Sequence, residues 1–150
     1  GSVDTLIRSV GGPVYAPPIE AALSQVREVD AVVVYGVGPV GRQISVAAVT
    51  TRRSGRTESL TVSQLRIALG GLPPAERPHL VCVVEAIPVS ESHRPISAGL
   101  ARSGVPRPGA RTWYRDESGR YRRFTRTAAA EIDWLPEVQS GDVERRAVGR

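Results

Sequence analysis

Lysine is missing altogether. The 20 basic residues of this 150-residue chain are all arginine, so any chemistry that needs an amine side chain is excluded. Cysteine occurs once, at Cys82, which rules out an intramolecular disulfide. Its place inside an apolar run favours a packed thiol over a nucleophile. His79 and His93 are the only histidines, and neither has the companion of a CxxC or HxxxH spacing, so no metal site is expected. No stretch approaches the roughly 18 consecutive apolar residues of a membrane span. The start Gly1-Ser2-Val3 lacks a signal peptide's apolar core. A soluble, cytoplasmic protein is expected, with Gly1-Ser2 read as a cloning remnant on a chain cut from something larger.

What is present is a hydrophobic content of 41%, enough for one ordinary domain or a small domain with an extension. The formal net charge is +5 with a pI near 10.3. That excess is concentrated late in the chain, where seven arginines between 107 and 126 face only Asp116 and Glu117. Basic character is therefore mainly a property of the C-terminal part.

Thr5 to Val10 alternates weakly, meets Gly11-Gly12-Pro13 and resumes at Val14-Tyr15, which predicts a hairpin with a glycine turn. Pro17-Pro18 opens a helix whose Ile19, Ala22, Leu23 and Val26 fall on one face. Ala31 to Tyr35 is apolar on both faces and reads as a central strand. Gln43 to Thr50 alternates as its neighbour, and 52–59 is a polar loop. Thr61 with Gln64 forms a capping box for a helix through Leu69, closed by Gly70-Gly71. His79 to Glu85 is a further buried strand.

A Ser-rich, Pro-bracketed loop follows, Ile87-Pro88-Val89-Ser90-Glu91-Ser92-His93-Arg94-Pro95. It carries one long cation and is suited to delivering charge rather than filling a core. Ile96 to Arg102 can make a short helix. After a Gly/Pro linker, 111–125 reads as a second hairpin, 127–134 as a short helix, and the part from Pro136 as a flexible tail. The expected fold class is α+β: a small three-stranded sheet with flanking helices and an N-terminal hairpin over 3–102, then a basic C-terminal hairpin/helix extension over 103–150.

The order of these blocks resembles the small C-terminal lid domain of the adenylate-forming superfamily, which includes acyl-CoA synthetases, AMP-dependent ligases and luciferases. Val3 to Glu20 is similar to that family's hinge-and-hairpin motif, placing Asp4 at the hinge, Gly11 at the turn glycine and Glu20 at the second of two glutamates, with Pro18 where the first is usual. Gly36 to Val49 is similar, more weakly, to a Gly-Val-Pro-Asp segment followed by Gly-Glu and a strand, with Arg42 in place of that glutamate. Aligned on Ile87-Pro88, the loop resembles a Leu-Pro-Arg-Thr-x-Ser-Gly-Lys motif, so that Ser90 meets the threonine, Ser92 the serine, His93 the glycine and Arg94 the lysine.

The resemblance implies the C-terminal mobile domain of an acyl-CoA or acyl-AMP ligase, with fatty acids as the expected acid class. It implies Arg94 at the adenylation lysine, Asp4 as hinge, and Gly11 and Gly12 on the hairpin that lines the thiol tunnel. ATP with Mg and coenzyme A are implied for the parent enzyme, and an N-terminal adenylation domain of the same polypeptide and an acyl carrier protein as partners. This chain has no glycine-rich segment ending in lysine to cradle phosphates, so no cofactor bound by it alone and no activity in isolation are expected. A guanidinium is planar and delocalised, and does not fit a compact ammonium's place. If that lysine supplies about 3–4 kcal/mol at the transition state, adenylation slows roughly 100- to 1000-fold. His93, where the family has glycine, adds a side chain against a close backbone approach.

Plainer roles stand beside these. Arg94 can be a solvated loop cation, Asp4 a strand-end carboxylate, Glu20 a first-turn acid favoured by the helix dipole, and Gly11-Gly12 a turn and nothing more. Two other function classes compete: a non-catalytic interaction domain that docks a carrier protein, and a basic nucleic-acid-binding module. In the latter, Trp113, Tyr114, Tyr121 and Phe124 would stack bases. The reading that these aromatics form a small core is preferred to it.

Overall fold

The structure is a computed structural model that describes residues 6–10, 12–39, 41–51, 60–85, 87, 105–106, 108–109 and 111–132. Along the chain these form β1 (Leu6–Ser9), β2 (Gly12–Tyr15), α1 (Ala16–Ser24), β3 (Val29–Val37), β4 (Ile44–Thr51) and α2 (Val62–Leu69). A 3-10 turn (Pro74–Glu76), β5 (Leu80–Val83), β6 (Thr112–Arg115), β7 (Tyr121–Arg123) and α3 (Arg126–Glu131) complete the order. The class is α+β, with a five-stranded mixed sheet in the order β3-β4-β5-β6-β7 and a separate two-stranded hairpin β1-β2.

Strands that are apolar on both faces need cover on both faces, and the alternation of β3 to β6 supplies two clusters. Val32, Val34, Ala47, Val49, Val81 and Trp113 point to one side, where β1, β2, α1 and α2 add Ile7, Val14, Ile19, Leu23, Leu65 and Leu69. Val33, Tyr35, Val46, Ala48, Leu80 and Cys82 point to the other, joined by Phe124 and by Ala129 and Ile132 at α3. β3 and β4 pair antiparallel with Val33 opposite Ala48. β4 and β5 run parallel, with α2 on the connection between them.

The expected three-stranded sheet is therefore five-stranded. The hairpin read at 111–125 forms, and it pairs antiparallel with β5, Val81 standing opposite Trp113. The reason is burial: Trp113, Tyr121 and Phe124 are 5%, 4% and 1% exposed, and a two-stranded ribbon alone cannot enclose aromatics on both of its faces. Arginines reinforce the junction. Arg115 Nη1 donates to the carbonyls of Pro74 and Arg77, while Arg77 donates from Nε to Leu72 O and from Nη1 to Gly119 O, each at 2.9 Å. The Tyr121 hydroxyl donates to Pro78 O.

Local signals explain the helices. α1 begins at Ala16, three residues before its apolar periodicity, because Pro17 and Pro18 occupy first-turn positions that need no hydrogen-bond donor. In α2 the capping box closes, with Gln64 N–H donating to Thr61 Oγ1 at 3.3 Å and Thr61 N–H to Gln64 Oε1 at 2.9 Å. Thr61→Ala should cost about 0.5–2 kcal/mol in urea denaturation, and a change below a few tenths would show that the cap contributes nothing. α3 is capped by Thr125, whose hydroxyl accepts from Ala128 N–H, so that helix starts just before the expected 127 and its described part ends at Glu131. The polar loop 52–59, the helix read at 96–102 and the tail from Pro136 lie outside the described residues.

Candidate functional site

Of the residues singled out by sequence, Asp4, Gly11, Ser90, Ser92, His93 and Arg94 lie outside the described residues, and Gly12 and Glu20 lie within them. The described part of the candidate site is the β1-β2 hairpin and what holds it.

Gly12 opens β2 with φ of +121°, a backbone region that L side chains rarely adopt, and among the described residues a Cβ added there would meet nothing within 4 Å. Position 12 thus requires glycine for its conformation. Ser9 Oγ donates to Gly12 O at 2.6 Å across the turn. Val10 at the tip is 78% exposed and Tyr15 at the base 50% exposed, while Ile7 and Val14 are buried in the first cluster. The hairpin has one face anchored in the core and an apolar tip in solvent.

Its outer edge is closed by a residue that sequence reading passed over. Arg8 stands opposite Pro13 in the β1-β2 register. Antiparallel pairs alternate between bonded and non-bonded positions, and Pro13 has no N–H to give, so the N–H and carbonyl of Arg8 turn away from β2. Gln43, just ahead of β4, takes both: Arg8 N–H donates to Gln43 Oε1 and Gln43 N–H donates to Arg8 O, each at 3.0 Å. The Gln43 amide lies against Gly36 of β3, where an added Cβ would be 2.8 Å from Nε2 and 3.2 Å from Ile7 Cγ2. Proline opposite Arg8 was the available signal that Arg8 needs another partner.

Glu20 projects from α1 to the outer edge of β3, where its Oε2 accepts the Val34 N–H at 3.0 Å. Burial raises its pKa, opposed in part by this hydrogen bond. A carboxylate on an outward-facing strand N–H satisfies it and blocks pairing with another strand.

Other groups with reactive chemistry are buried. Cys82 is enclosed and burial pushes its thiol up to about 12, so it is a packed thiol. His79 and Ser45 face each other at 3.0 Å, but Ser45 is fully buried and His79 is 8% exposed. Among the described residues no group of histidine, cysteine and carboxylates is arranged to hold a metal ion. No described helix is long and apolar enough to cross a membrane. Trp113, Tyr121 and Phe124 lie in the two clusters, which removes them as a base-stacking surface.

A hairpin set on a mixed sheet sandwiched between helices defines an α+β domain of a kind that solved structures contain. This fold is shared with adenylate-forming acyl-CoA synthetases. A fatty acyl CoA synthetase from Mycobacterium tuberculosis matches over 66% of this chain with 25% identity and a TM-score of 0.55. The amide bond synthetase McbA from Marinactinospora thermotolerans matches over 67% with 22% identity and a TM-score of 0.57. ATP-bound MatB from Rhodopseudomonas palustris matches over 67% with 20% identity and a TM-score of 0.58. In each case the match covers only 19% or 20% of the solved chain. No protein-family model and no curated protein matches this sequence.

Proposed function

We propose that this chain is the mobile C-terminal domain of an ATP-dependent acid–thiol ligase, inactive in isolation, with fatty acids as the acid class. The observation that carries the reading is the conjunction of fold and motif. The fold matches about a fifth of an acyl CoA synthetase at 25% identity, and the glycine hairpin is anchored on the sheet with its tip free. The loop from Ile87 to Pro95 supplies the sequence similarity to the family's lysine motif.

In this reading Asp4 is the hinge and Gly11 and Gly12 shape the hairpin that lines the thiol path. Arg94 stands at the adenylation lysine. ATP with Mg and coenzyme A, or a carrier protein's thiol, belong to the parent enzyme in the cytoplasm. The partner of this domain is an adenylation domain in the same polypeptide. The nucleic-acid alternative has no support from the buried aromatics.

Arginine keeps the charge but not the compact geometry of an ammonium. Pyrophosphate exchange by the parent polypeptide is therefore expected to rise roughly 100- to 1000-fold on Arg94→Lys. Normal parent activity with no gain from the substitution would overturn the impairment, and absence of exchange with every acid tried even in the Arg94→Lys parent would overturn the ligase reading itself.

A further inference from the structure

We infer that Gln43 is the positioning residue that aims the glycine hairpin, with Gly36 providing the space its amide needs. The inference rests on the ligase reading for what the hairpin does, and on geometry alone for what Gln43 does.

A two-stranded hairpin is marginal by itself. This one is fixed along its length by Ile7 and Val14 in the core, but those apolar contacts are non-directional and permit sliding or tilting. Direction comes from hydrogen bonds, and along the free edge of β1 the Gln43 pair supplies two of them on a single residue, one from its side chain and one from its backbone. Because Pro13 forces the Arg8 groups outward, the edge has a donor and an acceptor that β2 cannot use, and Gln43 completes them as a third strand would. Because Gly36 carries no Cβ, the amide can lie flat against β3. The apolar tip at Val10 then projects at a fixed angle from the β3-β4 end of the sheet.

In the thiol-transfer step, the thiol sulfur adds to the acyl-adenylate carbonyl, the acyl–phosphate bond breaks, and thioester, AMP and a proton are formed. A hairpin lining the thiol's path contributes alignment, and small misplacements of aligned groups cost rate. Adenylation precedes the hairpin's use. Loss of the Gln43 contact should therefore split the two half-reactions.

The test uses three variants, Gln43→Ala, Gln43→Glu and Gly36→Ala. In this 150-residue chain, Gln43→Ala should speed exchange of the Arg8 amide about fivefold or more while amides of β4 keep their protection. Gln43→Glu, which retains an acceptor, should restore the slow rate. Gly36→Ala should mimic the loss, since the new methyl displaces the flexible end of Gln43 before anything rigid. In the parent polypeptide, Gln43→Ala should leave pyrophosphate exchange unchanged and slow thioester formation from preformed acyl-adenylate about tenfold, with recovery in Gln43→Glu. Unchanged Arg8 exchange, or equal thioester rates in a parent that performs both half-reactions, would overturn the role given to Gln43. An Arg94→Lys parent without pyrophosphate exchange would instead overturn the ligase reading, and the amide-exchange result would then still decide whether Gln43 holds the hairpin.

Discussion

Phe124→Ala should destabilise the whole sheet by about 3–5 kcal/mol, the cost of emptying a large aromatic site. This is the chain's only phenylalanine. It is 1% exposed, and its ring meets that of Tyr114 at a centroid distance of 6.1 Å with a tilt of 58°. It shares the second cluster with Val46, Ala48 and Leu80 of the sheet centre. Its backbone is committed as well, with Phe124 N–H donating to Thr112 O and Gly109 N–H donating to Phe124 O. Since domains of this size are stable by only about 5–15 kcal/mol, the loss is a large fraction of the total. Urea unfolding by far-UV circular dichroism and by tryptophan fluorescence should give one coincident transition at lower denaturant. A β6-β7 ribbon that melts alone while β4 amides stay protected would show that the two halves fold separately.

Stability should also fall as pH drops from 6.5 toward 4, through His79. Its Nδ1 accepts the Ser45 N–H at 2.9 Å, which fixes the neutral tautomer with the proton on Nε2. Burial lowers its pKa from 6.5 to about 3, with the Arg115 cation adding to the shift. The unfolded chain then binds a proton that the folded chain refuses. Stability contributed by the neutral ring is full above 6.5 and falls by about 1.4 kcal/mol per unit below it, or roughly 3 kcal/mol by pH 4.5.

Other groups act elsewhere or oppositely. Burial alone would raise the Asp116 carboxyl, but hydrogen bonds from Arg122, Ser118 and the Arg120 N–H hold it well below its ordinary value of 3.8, so its contribution is lost only in stronger acid. Glu20, raised from 4.5, gains stability as pH falls through its folded pKa and offsets part of the slope. Denaturation at several pH values in wild type and His79→Gln isolates the histidine. The variant should lose most of the slope between 6.5 and 4.5, and a wild-type ring that titrates near 6.5 by NMR would sink the prediction.

Much of the fold could be read from local pattern because its causes are local. The capping box of Thr61 and Gln64, the prolines opening α1 and the double-faced apolar run of β3 each act within a few residues. The fate of the second hairpin could not be read that way. Its alternation marks two strands, but pairing with β5 depends on Val81 meeting Trp113 across a long separation, and no local rule encodes that register. The site was legible in part. Glycine at the turn and proline at 13 announce a hairpin with an outward edge, whereas the partner at Gln43 is a polar residue in an otherwise unremarked approach to a strand. Glu20 reads as an ordinary first-turn acid, but α1 starts at Ala16 and has no acid in its first turn, and the carboxylate instead accepts from the edge of β3.

The placement of β6 and β7 at the far side of β5 has a consequence during synthesis. A ribosome delivers β3, β4, α2 and β5 well before Thr112 emerges, so the growing chain passes through an interval in which Leu80 to Val83 has one neighbour and an unoccupied flank. Nascent chains at that stage can pair with one another. β6 and β7 are in this sense a closing seam, and premature termination before Trp113 should yield insoluble product rather than a smaller soluble one.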